Sequence, residues 1–318
     1  LSNTTALCQN PFYDAIDYTR ITCNFKGSVS NGKEILVYGD GGIILRSADG
    51  GQNWERINLN DSLTIIGMVA IGSNFMGLCS ERYAVVSADR GKNWQMQYLS
   101  DNQFYQLLAK DNKLYALLNG KVWVMNQQFQ KIKEYSLPTD LVYNSITLLR
   151  NTIVCSVADG TLIMIDTDTD QQKTIALSSI VTAADYKITM PLKSNGSNLV
   201  YVALGSNLYQ FNTTTTTATK LLFMQTKGTF ENYNDVVYFL YRLNSSASIT
   251  LDSLYFVKID KSSNAPIQIK KPGNDRYIIG LDFQNLTFIS KDTLIAVGKN
   301  NLIYTQTELL CNFVIQIT

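Results

Sequence analysis

Ser47-Ala48-Asp49-Gly50-Gly51-Gln52-Asn53-Trp54 recurs forty positions later as Ser87-Ala88-Asp89-Arg90-Gly91-Lys92-Asn93-Trp94, and both octets fit S-x-D-x-G-x-x-W. Each follows a short apolar run, Ile43-Ile44-Leu45 in one case and Tyr83-Ala84-Val85-Val86 in the other, that reads as a strand. The chemistry suits a tight hairpin. Ser and Asp side chains can satisfy the backbone of their own turn, Gly supplies a positive φ that a branched residue resists, and Trp opens the return strand with a large apolar surface. The octets therefore predict strand, turn, strand in a repeating unit, with Trp54 and Trp94 buried between neighbouring units.

Working outward from these turns, the same unit of four strands recurs from Arg20 to Thr318. The first reads Ile21 to Val29, Ile35 to Tyr38, Ile43 to Arg46 and Trp54 to Leu59; the second, Ile65 to Ile71, Phe75 to Leu78, Tyr83 to Val86 and Trp94 to Leu99. Beyond them the octet decays while the hydrophobic frame persists. In the fifth unit the first strand is expected over Tyr186 to Leu192, and in the seventh the last is expected over Asn312 to Ile317. The residues that end each third strand, Ser47, Ser87, Asn126, Asp166, Asn212, Asp260 and Gln306, are separated by 40, 39, 40, 46, 48 and 46 residues. Four-stranded antiparallel units of this period predict an all-β, seven-bladed β-propeller, with a six-bladed ring as the alternative. Residues 1–19 form an N-terminal extension or ring-closing segment, and 20–318 a single propeller domain. Asp166-Thr167-Asp168-Thr169-Asp170 stands where the octet should be and reads as its degenerate form; calcium binding is the sharper alternative, without the glycine and distal glutamate of an EF-hand.

Composition narrows the function. The chain has 318 residues, 45% of them hydrophobic, with 27 basic residues against 26 acidic ones and no basic stripe, so nucleic acid is not an expected partner. It contains no histidine, which removes Ser-His-Asp, Cys-His and His-metal chemistry. No apolar run is long enough for a transmembrane segment, and the start at Leu1 reads as a processed chain. The five cysteines form no C-x-x-C pair, so neither a metal nor any other cofactor is expected. Cys8 and Cys311 are placed to staple the two ends of the ring, which stabilises by about 4 to 5 kcal/mol on the chain-entropy model; Cys8 with Cys23 is the competing pair. Cys79 and Cys155 read as buried small hydrophobes. A disulfide implies an extracytoplasmic compartment: secreted, periplasmic or cell surface.

The octets resemble the Asp-box (BNR) repeat of β-propellers, found in sialidases, two-propeller xyloglucanases, sortilin-type receptor domains and the photosystem II assembly-factor family. Through residues 39–54, Gly-Asp-Gly-Gly-Ile-Ile-Leu-Arg-Ser-Ala-Asp-Gly-Gly-Gln-Asn-Trp, the likeness is closest to the single-propeller assembly factors. It covers the first two units closely and the rest only as periodicity. The resemblance implies a structural role for Ser47, Asp49, Gly51, Trp54, Ser87, Asp89, Gly91 and Trp94, and a non-catalytic scaffold or assembly factor outside the cytoplasm that binds a protein or glycan. A structural or adhesive surface protein is the second reading, suggested by abundant Asn, Thr, Ser and Tyr. A sialidase-like glycoside hydrolase is the third, but the eight arginines form no expected cluster and Thr22 replaces the proline of that family's Arg-Ile-Pro signature. A xyloglucanase-like cleft needs two propellers. Gly39-Asp40-Gly41-Gly42 reads as a strand turn and not as a phosphate loop, because no Gly-Lys-Ser/Thr follows.

No catalytic residue is assigned. In propellers the loops between second and third strands gather on the face opposite the boxes, where ligands usually bind. That candidate binding face comprises Asp40, Glu81, Arg82, Asn119, Lys121, Asp159, Asn207, Arg242, Asp252 and Lys299. The insertion Leu243 to Asp252 is the expected specificity element, since loops over a rigid scaffold tolerate variation and carry function.

Overall fold

The computed structural model describes residues 23–51, 53–182, 186–188, 190–205, 207–223, 228–233, 236–241, 255–259, 266–269, 283–290, 293–298 and 303–307. Among them the chain forms seven antiparallel sheets in sequence, six of four strands and one of three. The first sheet is β1 (Phe25–Ser30), β2 (Ile35–Gly39), β3 (Ile43–Ser47) and β4 (Glu55–Asn58). The second is β5 (Ile65–Ile71), β6 (Asn74–Cys79), β7 (Tyr83–Ser87) and β8 (Gln95–Tyr98). β9 (Phe104–Lys110), β10 (Lys113–Leu118), β11 (Lys121–Met125) and β12 (Lys131–Ser136) make the third, and β13 (Tyr143–Leu148), β14 (Thr152–Val157), β15 (Thr161–Asp166) and β16 (Gln172–Ala176) the fourth. The fifth has β17 (Lys193–Ser194), β18 (Leu199–Leu204), β19 (Asn207–Asn212) and β20 (Thr217–Phe223); the sixth, β21 (Gly228–Tyr233), β22 (Val236–Tyr241), β23 (Tyr255–Ile259) and β24 (Pro266–Ile269). β25 (Phe283–Ser290), β26 (Thr293–Gly298) and β27 (Ile303–Thr307) complete the series.

Burial follows position within a sheet. Every residue of β2 and β3 is buried, because a middle strand is covered on both faces by neighbouring sheets; such strands read as continuous apolar runs. The outermost strands β4 and β8 are mostly exposed, which leaves their free edges solvated. First strands lie against one another around a ring, from β1 through β5, β9, β13, β17 and β21 to β25, which returns to β1. At that junction Ile295 and Val297 share a core cluster with Phe25, Ile35, Val37 and Leu45, and Thr287 Oγ1 donates to the Ser28 carbonyl at 3.2 Å. Polar bonds also stitch the sheets: Ile146 N donates to Gln106 Oε1 at 2.7 Å, and Lys193 pairs with Glu231 at 2.5 Å.

Two local expectations need correction. Among the described residues, Tyr186 to Leu192 does not form the first strand of the fifth sheet; the two residues of β17 pair there, after an isolated bridge from Ile188 to Leu204. Pro191 has no amide to give a ladder, and Leu192 N donates instead to Ser145 Oγ of the neighbouring sheet at 2.8 Å. Ile188 and Leu192 are buried all the same, so the apolar pattern reported burial and not pairing. Trp54 and Trp94 pack where sheets meet, as expected, but are only half-buried. Residues 1–22 and Asn312 to Ile317, with Cys8, Cys311 and the pairing assigned to them, lie outside the described residues. The insertion Leu243 to Asp252 lies outside them too.

Candidate functional site

The two octets fold identically. Ser47 Oγ donates to Asp49 Oδ1 at 2.8 Å and accepts Gly51 N at 2.8 Å; Ser87 does the same with Asp89 and Gly91, both at 2.8 Å. Each Asp accepts the amide of the Asn four residues on at 2.9 Å, and each Trp Nε1 returns to a Gly carbonyl, Gly51 at 2.9 Å and Gly91 at 3.0 Å. Gly91, at φ +81°, would bring a Cβ within 3.0 Å of Leu36 Cδ2, so this turn packs directly onto the first sheet. These turns are latches between sheets. Arg46 Nε donates to the Arg90 carbonyl at 2.7 Å and its Nη1 pairs with Glu55, while buried Glu34 lies 3.9 Å from both Arg46 and Arg90.

Hydrogen bonds from Asn93 and Ser87 hold the Asp89 carboxyl at about 2, below its ordinary 3.8. A depressed folded-state value means that the contribution is present above about pH 4 and is lost as the pH falls towards 2. Urea midpoints measured across that window should fall less steeply for Asp89→Asn than for the parent chain.

Later turns keep the position and change the device. Asn126 Oδ1 accepts Gln128 N and Gln130 N, both at 2.9 Å; Asp166 Oδ1 accepts Asp168 N at 3.0 Å and Thr169 N at 2.8 Å; Asn212 Oδ1 accepts Thr214 N at 2.9 Å. One Asx side chain does what Ser and Asp do together in the octets. The three carboxylates of 166–170 diverge, Asp166 into its own turn, Asp168 to Asn151 Nδ2 and Asp170 to Lys133, and no metal-holding cluster occurs among the described residues.

On the opposite face the described candidate residues share an end of the ring, and of them Glu81 and Arg82 line one cavity with Tyr83 and Tyr98. Asp40 accepts Asn24 Nδ2 at 2.8 Å and pairs with Lys26 at 3.2 Å. Glu81 accepts Thr64 N at 2.8 Å and also Ser80 Oγ, and Arg82, at φ +76°, faces Asp101 at 3.8 Å. Asn119 occupies a tight exposed turn, Lys121 pairs with Glu134 at 3.1 Å, and Asp159 accepts Thr161 N at 2.9 Å. Asn207 opens β19 with its Oδ1 buried and unpartnered. Arg242, Asp252 and Lys299 lie outside the described residues. Cys23 Sγ donates to the Asp40 carbonyl at 3.3 Å, and burial pushes its thiol up to about 11; burial also raises Cys79 and Cys155 to about 12, far from the thiolate that a nucleophile needs.

The register reveals what the sequence reading missed. In the first strand of five sheets one extra residue interrupts the ladder near its start: Lys26, Ile66, Tyr105, Asn144 and Gln284. A bulge bends the strand and re-aims a side chain. All five stand beside the loops between second and third strands, next to the axis of the ring. Tyr105 is 46% exposed there, a large aromatic group presented to solvent. A recurring bulge leaves no mark in hydrophobic periodicity, so only the pairing register exposes it.

A ring of antiparallel four-stranded sheets latched by two S-x-D-x-G-x-x-W turns is an Asp-box β-propeller. Residues 14–142, less than half the chain, match the family described as photosynthesis system II assembly factor YCF48. A structure titled "YCF48 bound to D1 peptide" superposes with a TM-score of 0.69 at 11% identity, covering 94% of this chain and 99% of that one. YCF48 from Cyanidioschyzon merolae gives 0.68 at 12% identity over 91% and 96%, and the WD40 propeller domain of Doa1 gives 0.66 at 9% over 89% and 92%. No curated protein matches. The chain is thus a single β-propeller related to the assembly-factor family.

Proposed function

We propose that this propeller is a non-catalytic scaffold or assembly factor that acts outside the cytoplasm and holds a protein partner on the face opposite its Asp boxes. The observation that carries the reading is the relationship of residues 14–142 to the assembly-factor family, together with a fold neighbour whose own structure holds a peptide. The local geometry supports it. Asp40, Glu81, Lys121 and Asp159 are engaged with neighbouring groups, as is Asn144, whose Nδ2 donates to the Ile188 carbonyl at 3.1 Å, while the bulge at Tyr105 supplies an exposed aromatic beside the axis. An aromatic group over a polar rim suits protein recognition. The insertion Leu243 to Asp252 remains the proposed specificity element. Replacing Tyr105 with a photoreactive phenylalanine in the source organism should yield protein adducts on irradiation, while the same group in place of Lys92, on the box side, should not capture those proteins. Equal capture from both positions would remove the assignment to this face.

A further inference from the structure

In the first four sheets the turn after the third strand decides whether the crevice behind it is filled. Trp54 fills the junction of the seventh and first sheets and Trp94 that of the first and second. In the third sheet Phe129 takes over: held at φ +56°, it is 5% exposed and packs with Met76, Leu78 and Trp123 between the second and third sheets. The fourth sheet has no equivalent. Gln171 stands opposite Asp166, where Trp54 and Trp94 stand opposite Ser47 and Ser87, and it is exposed; its turn carries only Thr and Asp. Behind that turn lies a cavity of about 300 Å³ between the third and fourth sheets.

We propose that this groove, on the Asp-box side, binds a short acidic protein segment that inserts an aromatic side chain where the first three sheets supply their own. Its apolar wall includes Val124, Tyr115 and Tyr135, all less than 10% exposed, and Ile132 stands at the rim 58% exposed. Its cations outnumber its carboxylates: Lys110, Lys113, Lys133 and Arg150 line it with Asp111 and Asp168. Lys110 donates to the Leu149 and Arg150 carbonyls and faces Asp111, and Lys133 pairs with Asp170. Lys113 and Arg150 have no carboxylate partner among the described residues, so the surplus charge of the groove is positive. A largely polar gap with Val124, Tyr115 and Tyr135 at its floor and two cations without carboxylate partners at its rim suits an aromatic flanked by carboxylates. This site does not depend on what the opposite face binds.

The test is fluorescence anisotropy with a labelled heptapeptide of alternating Glu and Asp around a central Trp. Binding to the full chain is expected, and it should weaken at about 1 M salt, where screening shortens the reach of charge to about 3 Å. Lys113→Glu with Arg150→Glu should weaken it by about tenfold or more, since both attractions become repulsions. Gln171→Trp, which refills the crevice from within, should abolish it while leaving the thermal midpoint unlowered. The charge reversals lie on the surface and keep the test valid if Gln171→Trp fails to fold. Absence of binding, binding unchanged by the charge reversals, or equal binding of the all-Lys analogue or of an oligothymidylate would each overturn the proposal.

Discussion

Gly42→Ala should destabilise the protein by about 3 to 5 kcal/mol, combining the left-handed penalty of a Cβ with overpacking that cannot relax. Gly42 sits at φ +60°, and a Cβ there would lie 2.5 Å from the Asn60 carbonyl oxygen and 2.8 Å from the Asn60 amide nitrogen. Both are backbone atoms of the segment that follows β4. They are held in place by Leu59 N donating to the Gly42 carbonyl at 3.1 Å and by Gly42 N donating to the Leu63 carbonyl at 2.7 Å. Gly50 is the internal control. Its φ is +75° with open space around it, and Arg90 occupies the corresponding place at φ +64°, so Gly50→Ala should cost only about 1 kcal/mol. Urea unfolding of the two variants beside the parent chain checks the contrast, and equal losses would mean that the turn is not packed as described.

The second large effect concerns the box tryptophans. Trp94→Ala should cost about 2 to 3 kcal/mol, below the full range for a buried Trp because the ring is half-exposed. The loss has two sources, contact with the cluster of Leu36, Ile44, Ile65 and Phe75 between the first two sheets and the bond from Nε1 to the Gly91 carbonyl. Trp94→Phe keeps most of the first and none of the second, so it should recover about half the loss. If the Phe variant were as unstable as the Ala variant, the hydrogen bond and not the packing would hold the latch.

Much of this fold is legible in the sequence because its determinants are local. A Ser, an Asp, a Gly and a Trp at fixed offsets make their own turn, and the buried middle strands announce themselves as unbroken apolar runs such as Ile35 to Tyr38. Where apolarity and pairing part company, at Tyr186 to Leu192, the reading failed, since burial of Ile188 and Leu192 needs no ladder. The functional surfaces are less legible because they arise between sheets. Tyr105 looks like any strand residue until its register shows it displaced from the ladder. Phe129 looks like an apolar residue stranded in a polar turn until the neighbouring sheet is seen to receive it. The groove behind Gln171 comes from a missing side chain. The sequence shows that the box has gone from residues 166–170, but only the adjacent sheet shows what its loss uncovers.

The central claim, that this propeller works by holding another polypeptide, is tested most directly by isolating the intact chain from its source under gentle conditions and weighing it by native mass spectrometry. The account predicts the chain in a defined complex with a second protein, which dissociates when Tyr105 is replaced by Glu. A chain recovered alone that turns over a sialoside or a xyloglucan oligosaccharide would contradict it.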